Sequence, residues 1–172
     1  MAADVSKIIG GPADVKLGAA SSAATIGHTT GGVTATITPQ NRERIVDQYG
    51  SSAVAVIHTG DEVRVTVPWS EWISTTINEV YNPGTDSASA AFTKGVGRSA
   101  GYIYTTQEME IVPYLTADAG KYVEFYSTTP VGEVGLAWNN DDDNIHEVEY
   151  AALTVTSGKT DGSLIGLIYT VA

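Results

Sequence analysis

Glu62-Val63-Arg64-Val65-Thr66-Val67 alternates polar and apolar residues without a fault, inside a run from residue 31 to residue 81 whose reading decides the fold. Successive side chains of a strand point to opposite faces, so Val63, Val65 and Val67 share a buried face and Glu62, Arg64 and Thr66 the other. Upstream, Ala53-Val54-Ala55-Val56-Ile57 is a short apolar run followed by His58-Thr59-Gly60-Asp61. The glycine supplies the backbone freedom of a tight reversal, and the pattern predicts a hairpin turning there. Downstream the period changes: Trp69, Trp72, Ile73, Ile77, Val80 and Tyr81 recur at helical spacing, with Ser70 as N-cap, Glu71 in the first turn and Asn82-Pro83-Gly84 as the stop. These signals predict one amphipathic helix of about three turns. Its stripe of Trp69, Trp72, Ile73 and Ile77 is expected to pack on the sheet.

Outward from this core, Val33, Ala35 and Ile37 alternate with Thr34, Thr36 and Thr38. The strand is expected to run through Pro39, which an edge or a bulge tolerates, and on along Arg42-Glu43-Arg44-Ile45-Val46-Asp47. So long and charged a segment exceeds what a compact monomer needs and is expected to reach a neighbouring subunit. Residues 1–30 are small, glycine-rich and weakly patterned; they read as an amino-terminal arm, with a short strand at Asp14-Val15-Lys16-Leu17. Residues 82–101 read as a long loop of the kind tied to function or assembly.

The second half is strand-rich. Tyr102, Tyr104 and Thr106 alternate with Ile103 and Thr105 and lead into Glu108-Met109-Glu110-Ile111, whose glutamates share a face. Tyr122-Val123-Glu124-Phe125-Tyr126 and Gly135-Leu136-Ala137-Trp138 suit further strands, and Glu147-Val148-Glu149-Tyr150 repeats the acid-on-one-face pattern before Ala152-Leu153-Thr154-Val155. A closing hairpin is expected, with 157–162 as its turn and 164–169 as its return strand. Many short strands against one helix predict a mainly β domain over 1–172, a β-sandwich or barrel with a flanking α-helix.

The formal charge of −11, from 20 acidic against 9 basic residues, argues against tight nucleic-acid binding, which needs a basic footprint. Repulsion of DNA is itself useful where DNA must slide past without sticking. With no cysteine, disulfides and thiolate chemistry are excluded. No apolar run of membrane-spanning or signal-peptide length occurs, which predicts a cytoplasmic, soluble product.

Chemistry is thinly represented. Asn139-Asn140-Asp141-Asp142-Asp143-Asn144 is the densest set of oxygen ligands, but it lacks the glycine and distal glutamate of a calcium loop and reads as a solvated acidic turn. His28, His58 and His146 have no ligand or nucleophile spacing. Neither a catalytic arrangement nor a cofactor is expected. Trp69, Trp72, Trp138 and Tyr102, Tyr104, Tyr114, Tyr122 and Tyr126 suit core packing and interfaces, or an aromatic platform for sugars, which is the reading as a carbohydrate-binding sandwich.

Gly31-Gly32-Val33-Thr34-Ala35-Thr36-Ile37-Thr38-Pro39, then Ile45-Val46-Asp47-Gln48, then the strand from Thr59 to Val67 running into the helix resembles the tail tube (major tail) proteins of tailed, siphophage-like bacteriophages. The resemblance implies a non-enzymatic structural subunit of the virion tail, assembled in the host cytoplasm. Homohexameric rings would stack into a hollow tube that conducts viral DNA without binding it specifically. The implied partners are other copies of the chain and the tape measure, terminator and tip proteins. Tubes of contractile injection and secretion systems are the nearest alternative. On this reading Glu108, Glu110, Glu147 and Glu149 line the bore, and Arg42, Arg44, Asp47, Pro83 and Arg98 make contacts between subunits or rings.

Overall fold

The computed structural model describes residues 12–18, 24–25, 29–70, 99–114, 120–133 and 145–170. Trp72, Ile73, Ile77, Pro83, Arg98, Trp138 and the acidic run at 139–144 lie outside the described residues, as do the body of the expected helix and most of the 82–101 loop.

The described chain is mainly β, a curled antiparallel sheet in the form of a half-barrel. Its strands are β1 (Ala13–Leu17), β2 (Ala24–Thr25), β3 (Thr34–Ile45), β4 (Ala53–Trp69), β5 (Gln107–Pro113), β6 (Val123–Pro130), β7 (His146–Ala152) and β8 (Gly166–Ile168). They lie in the order β2-β1-β5-β6-β7-β4-β3, with β8 attached to β6 off this path. One face carries the core: Val15 and Leu17 of β1, Val63, Val65, Val67 and Trp69 of β4, Met109 of β5, Phe125 of β6, and Val148, Tyr150 and Ala152 of β7. The alternation at 62–67 therefore has the expected consequence, with Val63, Val65 and Val67 buried. β1 takes the short strand expected at Asp14–Leu17 into the sheet, inside the segment read as an arm.

Four local expectations give way to different structures. Ala53–Trp69 is a single strand of 17 residues, with no reversal at Gly60. Gly60 pairs with Gln40 and His58 with Asn41, which leaves Thr59 as an extra residue, and the Thr59 hydroxyl donates to the Gln40 carbonyl at 2.9 Å. Gly60, at φ +152, serves a β-bulge rather than a turn. The hairpin is instead β3 to β4, closed by a 3-10 turn at Asp47–Tyr49.

Trp69 is the last residue of β4, not the start of a helical stripe; it is fully buried and pairs with His146. Its position satisfies both the period of two that runs through Val63, Val65 and Val67 and the helical spacing that follows. Pairing with β7 decides for the strand. Pro68 fits beside it because its carbonyl accepts from the Thr30 amide at 3.0 Å. The missing proline N–H therefore faces the edge that β3 has already left, its last pair being Thr34 with Thr66.

Tyr102 to Thr106 form no strand; β5 begins at Gln107, where Thr128 becomes its partner. In that stretch Ile103 is 88% exposed, with no strand partner to cover it among the described residues. The carboxyl-terminal segment does not close a hairpin on residues 152–155. Only the Val155 amide donates to the Leu164 carbonyl, at 2.8 Å, and β8 pairs with β6.

Candidate functional site: an exposed arm and an acidic sheet face

β4 pairs with β7 only over Val63–Trp69. Among the described residues its first ten, 53–62, have β3 as their one partner, so β3 and this half of β4 form a two-stranded ribbon reaching about 30 Å past the sheet at the usual strand rise. Every residue of β3 is exposed. Directly opposed residues of an antiparallel pair share a face. Arg42 with Ile57 and Arg44 with Ala55 therefore occupy one face of the ribbon, and Asn41 with His58 and Glu43 with Val56 the other. On each face the apolar residues, Ile57 and Ala55 on one and Val56 on the other, come from β4, and the charged residues come from β3. A continuous apolar run such as Ala53–Ile57 is typical of a strand covered on both faces, yet Val56 is 64% exposed. Isolated two-stranded ribbons are marginal in water.

Arg42, Arg44 and Asp47, three of the residues assigned to subunit contacts, all lie in this arm, Asp47 opening the turn at its tip beside exposed Tyr49. The long outer edge of β3 is blunted. Pro39 lacks a donor, Arg42-Glu43-Arg44 is charged, and the register shifts at Gln40/Asn41 and at Arg44/Ile45. These devices discourage indiscriminate strand pairing. His58 lies 3.3 Å from Asp61 at the arm's base.

Glu108 and Glu110 flank buried Met109 on β5, and Glu147 and Glu149 flank buried Val148 on β7. All four therefore lie on the face of the sheet opposite the core. They are not a bare acidic array. Arg64 of β4 lies 3.0 Å from Glu149 and 2.9 Å from Glu62, and Lys16 of β1 lies 3.7 Å from Glu110. Glu110 stands directly opposite Glu124, a like-charge pairing that disfavours the sheet. Lys16 relieves it on one side, and on the other the Tyr169 hydroxyl donates to Glu124 Oε2 at 2.7 Å. The polar alternation of β4 marks Arg64 as a member of this face. Nothing in the order of residues announces Lys16, Glu124 and Tyr169, which only cross-strand register brings together.

Several of the described aromatic side chains engage one another or a cation, while Tyr49 and Tyr114 are exposed. Tyr122 stacks on Tyr169 with ring centroids 4.0 Å apart, Tyr102 meets Tyr104 edge to face at 5.9 Å, and Lys159 Nζ lies 3.3 Å from the centre of the Tyr126 ring. The hydrogen bond to Glu124, followed by burial, raises the Tyr169 pKa well above the ordinary tyrosine value; burial and then the Glu124 charge raise that of Tyr126. Among the described residues no group of three or more His, Asp and Glu is arranged to hold a metal ion, and no helix is long and apolar enough to cross a membrane. Compared with protein-family models and with curated proteins, the chain matches none, so the reading of its function rests on its own residues and geometry.

Proposed function

We propose that this chain is a structural, non-enzymatic subunit that assembles with copies of itself into rings and stacked tubes, as the resemblance to phage tail tube proteins implies. The observation that carries this reading is the β3–β4 arm: two strands extended about 30 Å beyond the sheet, with apolar side chains on both faces and exposed along their length. Water is a poor environment for such a ribbon, and burial of Val54, Val56 and Ile57 against a neighbouring copy removes the cost.

In the tube, hexameric rings stack through the arm, and the face bearing Glu108, Glu110, Glu147 and Glu149 lines the bore. A net charge of −11 keeps that channel repulsive toward a polyanion, so viral DNA passes without adhering. Lys16 and Arg64 reduce the repulsion among neighbouring carboxylates on the same face, which lets the strands that carry them pair.

Electron microscopy of the purified chain at high concentration tests the proposal. Rings or tubes with a central channel are the expected result. Particles that stay single at every concentration overturn it.

A further inference from the structure

The edge of β6 is divided between two partners. Thr128, Thr129 and Pro130 pair with β7, while Val123, Glu124 and Phe125, beyond the point where β7 departs, pair with β8. The second partner comes from the chain's own carboxyl-terminal segment. Residues 153–170 leave β7 with the Leu153 amide donating to the Ser127 carbonyl at 2.7 Å, pass through two turns, and return so that the Tyr126 amide donates to the Ile165 carbonyl at 3.0 Å and the Tyr169 amide to the Tyr122 carbonyl at 2.8 Å. Gly166 is the point of closest approach, since a Cβ there would lie 2.2 Å from the Glu124 carbonyl oxygen and 2.9 Å from the Phe125 ring. Only glycine lets β8 close on this edge.

Side chains then fasten the segment at both ends. The Tyr169 hydroxyl binds Glu124, its ring lies flat on Tyr122, and Lys159 covers the Tyr126 ring. These contacts are polar or aromatic and sit at the surface. β8 itself buries little, with Ile168 65% exposed, and Ile165 is the strap's one residue packed against the core cluster. A strand so held contributes little to the core, yet it covers the N–H and C=O groups of β6 that would otherwise form a further open edge beside the two ends of the sheet.

We infer that residues 153–170 are a self-capping strap, whose task is to keep the Val123–Phe125 edge of β6 from pairing with a second copy of this chain. A second copy is the partner that fits, because the Thr34–Thr38 half of its β3, ahead of Pro39 and the register shifts that blunt the rest of that edge, is paired along one edge alone among the described strands. An uncapped β6 edge is the complementary surface, and pairing of this kind needs main-chain groups more than any particular side chain. The inference does not depend on the tube reading: it concerns a contact that the folded chain avoids, whatever assembly it forms through the arm.

The test uses the full-length chain and two variants, Gly166→Val, which cannot seat β8, and Tyr169→Phe, which removes the bond to Glu124 and keeps the ring. Amide exchange reports whether the strap is loose, and sedimentation velocity over a concentration series reports association. In Gly166→Val, exchange at residues 166–168 should rise about tenfold, and association should begin at a concentration roughly fivefold lower than for the parent chain. Tyr169→Phe should move both readings the same way by less. Circular dichroism shows whether each variant is folded, and Tyr169→Phe decides the matter should Gly166→Val fail to fold. A loosened strap with unchanged association overturns the inference, and so does a strap that neither substitution loosens. The parent chain's own micrographs judge the tube reading separately.

Discussion

Single residues on the acidic face act through their neighbours. Arg64 stands between Glu62 and Glu149 and is still partly exposed, so water and salt screen both contacts. A double-mutant cycle of Arg64→Ala with Glu149→Ala should give a coupling of about 1 kcal/mol or less, fading in high salt; a larger, salt-insensitive value would mean the pair is buried by something that covers this face. Tyr169 carries a sharper signature. Its neutral hydroxyl is the donor to Glu124, and its folded pKa is raised, so the bond is fully present below the free tyrosine value of about 10 and is lost as pH rises through the higher folded value. Ultraviolet titration of the nine tyrosines should show a late-ionising component that disappears in Tyr169→Phe. Loss of an early component instead would place the Tyr169 hydroxyl away from Glu124.

At the scale of elements, the same residue types have opposite weights in the two halves of β4. Trp69 lies fully buried where β4 meets β7, and Trp69→Ala should cost about 3–5 kcal/mol in denaturant unfolding. Val56 lies in the arm, and Val56→Asp should leave stability within about 0.5 kcal/mol while lowering association; equal losses at both positions would show that the arm is already packed within its own chain. Much of this was legible in the residues. The alternation at Glu62–Val67, the strand through Pro39 on an edge, and the acid pairs on β5 and β7 follow from a period of two. What was not legible depends on partners distant in sequence. Gly60 looks like a turn until its bulge against Gln40 is seen, Trp69 satisfies two periods at once, and residues 164–169 join β6 because β7 leaves part of that edge open. The contacts of Lys16, Glu124 and Tyr169 are set by register, and register appears only when the strands are paired.

At the scale of the whole molecule, the fold divides into a half-barrel with its own core and a ribbon without one. The half-barrel buries Trp69, Met109, Phe125 and Tyr150 on one face and holds its carboxylates on the other, while the arm carries apolar residues into water. A subunit completed by its copies accounts for both parts. In the proposed assembly the acidic face stays open toward a channel and a neighbour covers the arm. Hydrogen exchange across a concentration series measures that completion most directly. Amides of residues 53–58 should exchange fast in the dilute chain and become protected when it is concentrated, while those of residues 63–69 stay slow in both. Exchange at residues 53–58 that is the same in dilute and concentrated samples would contradict the account.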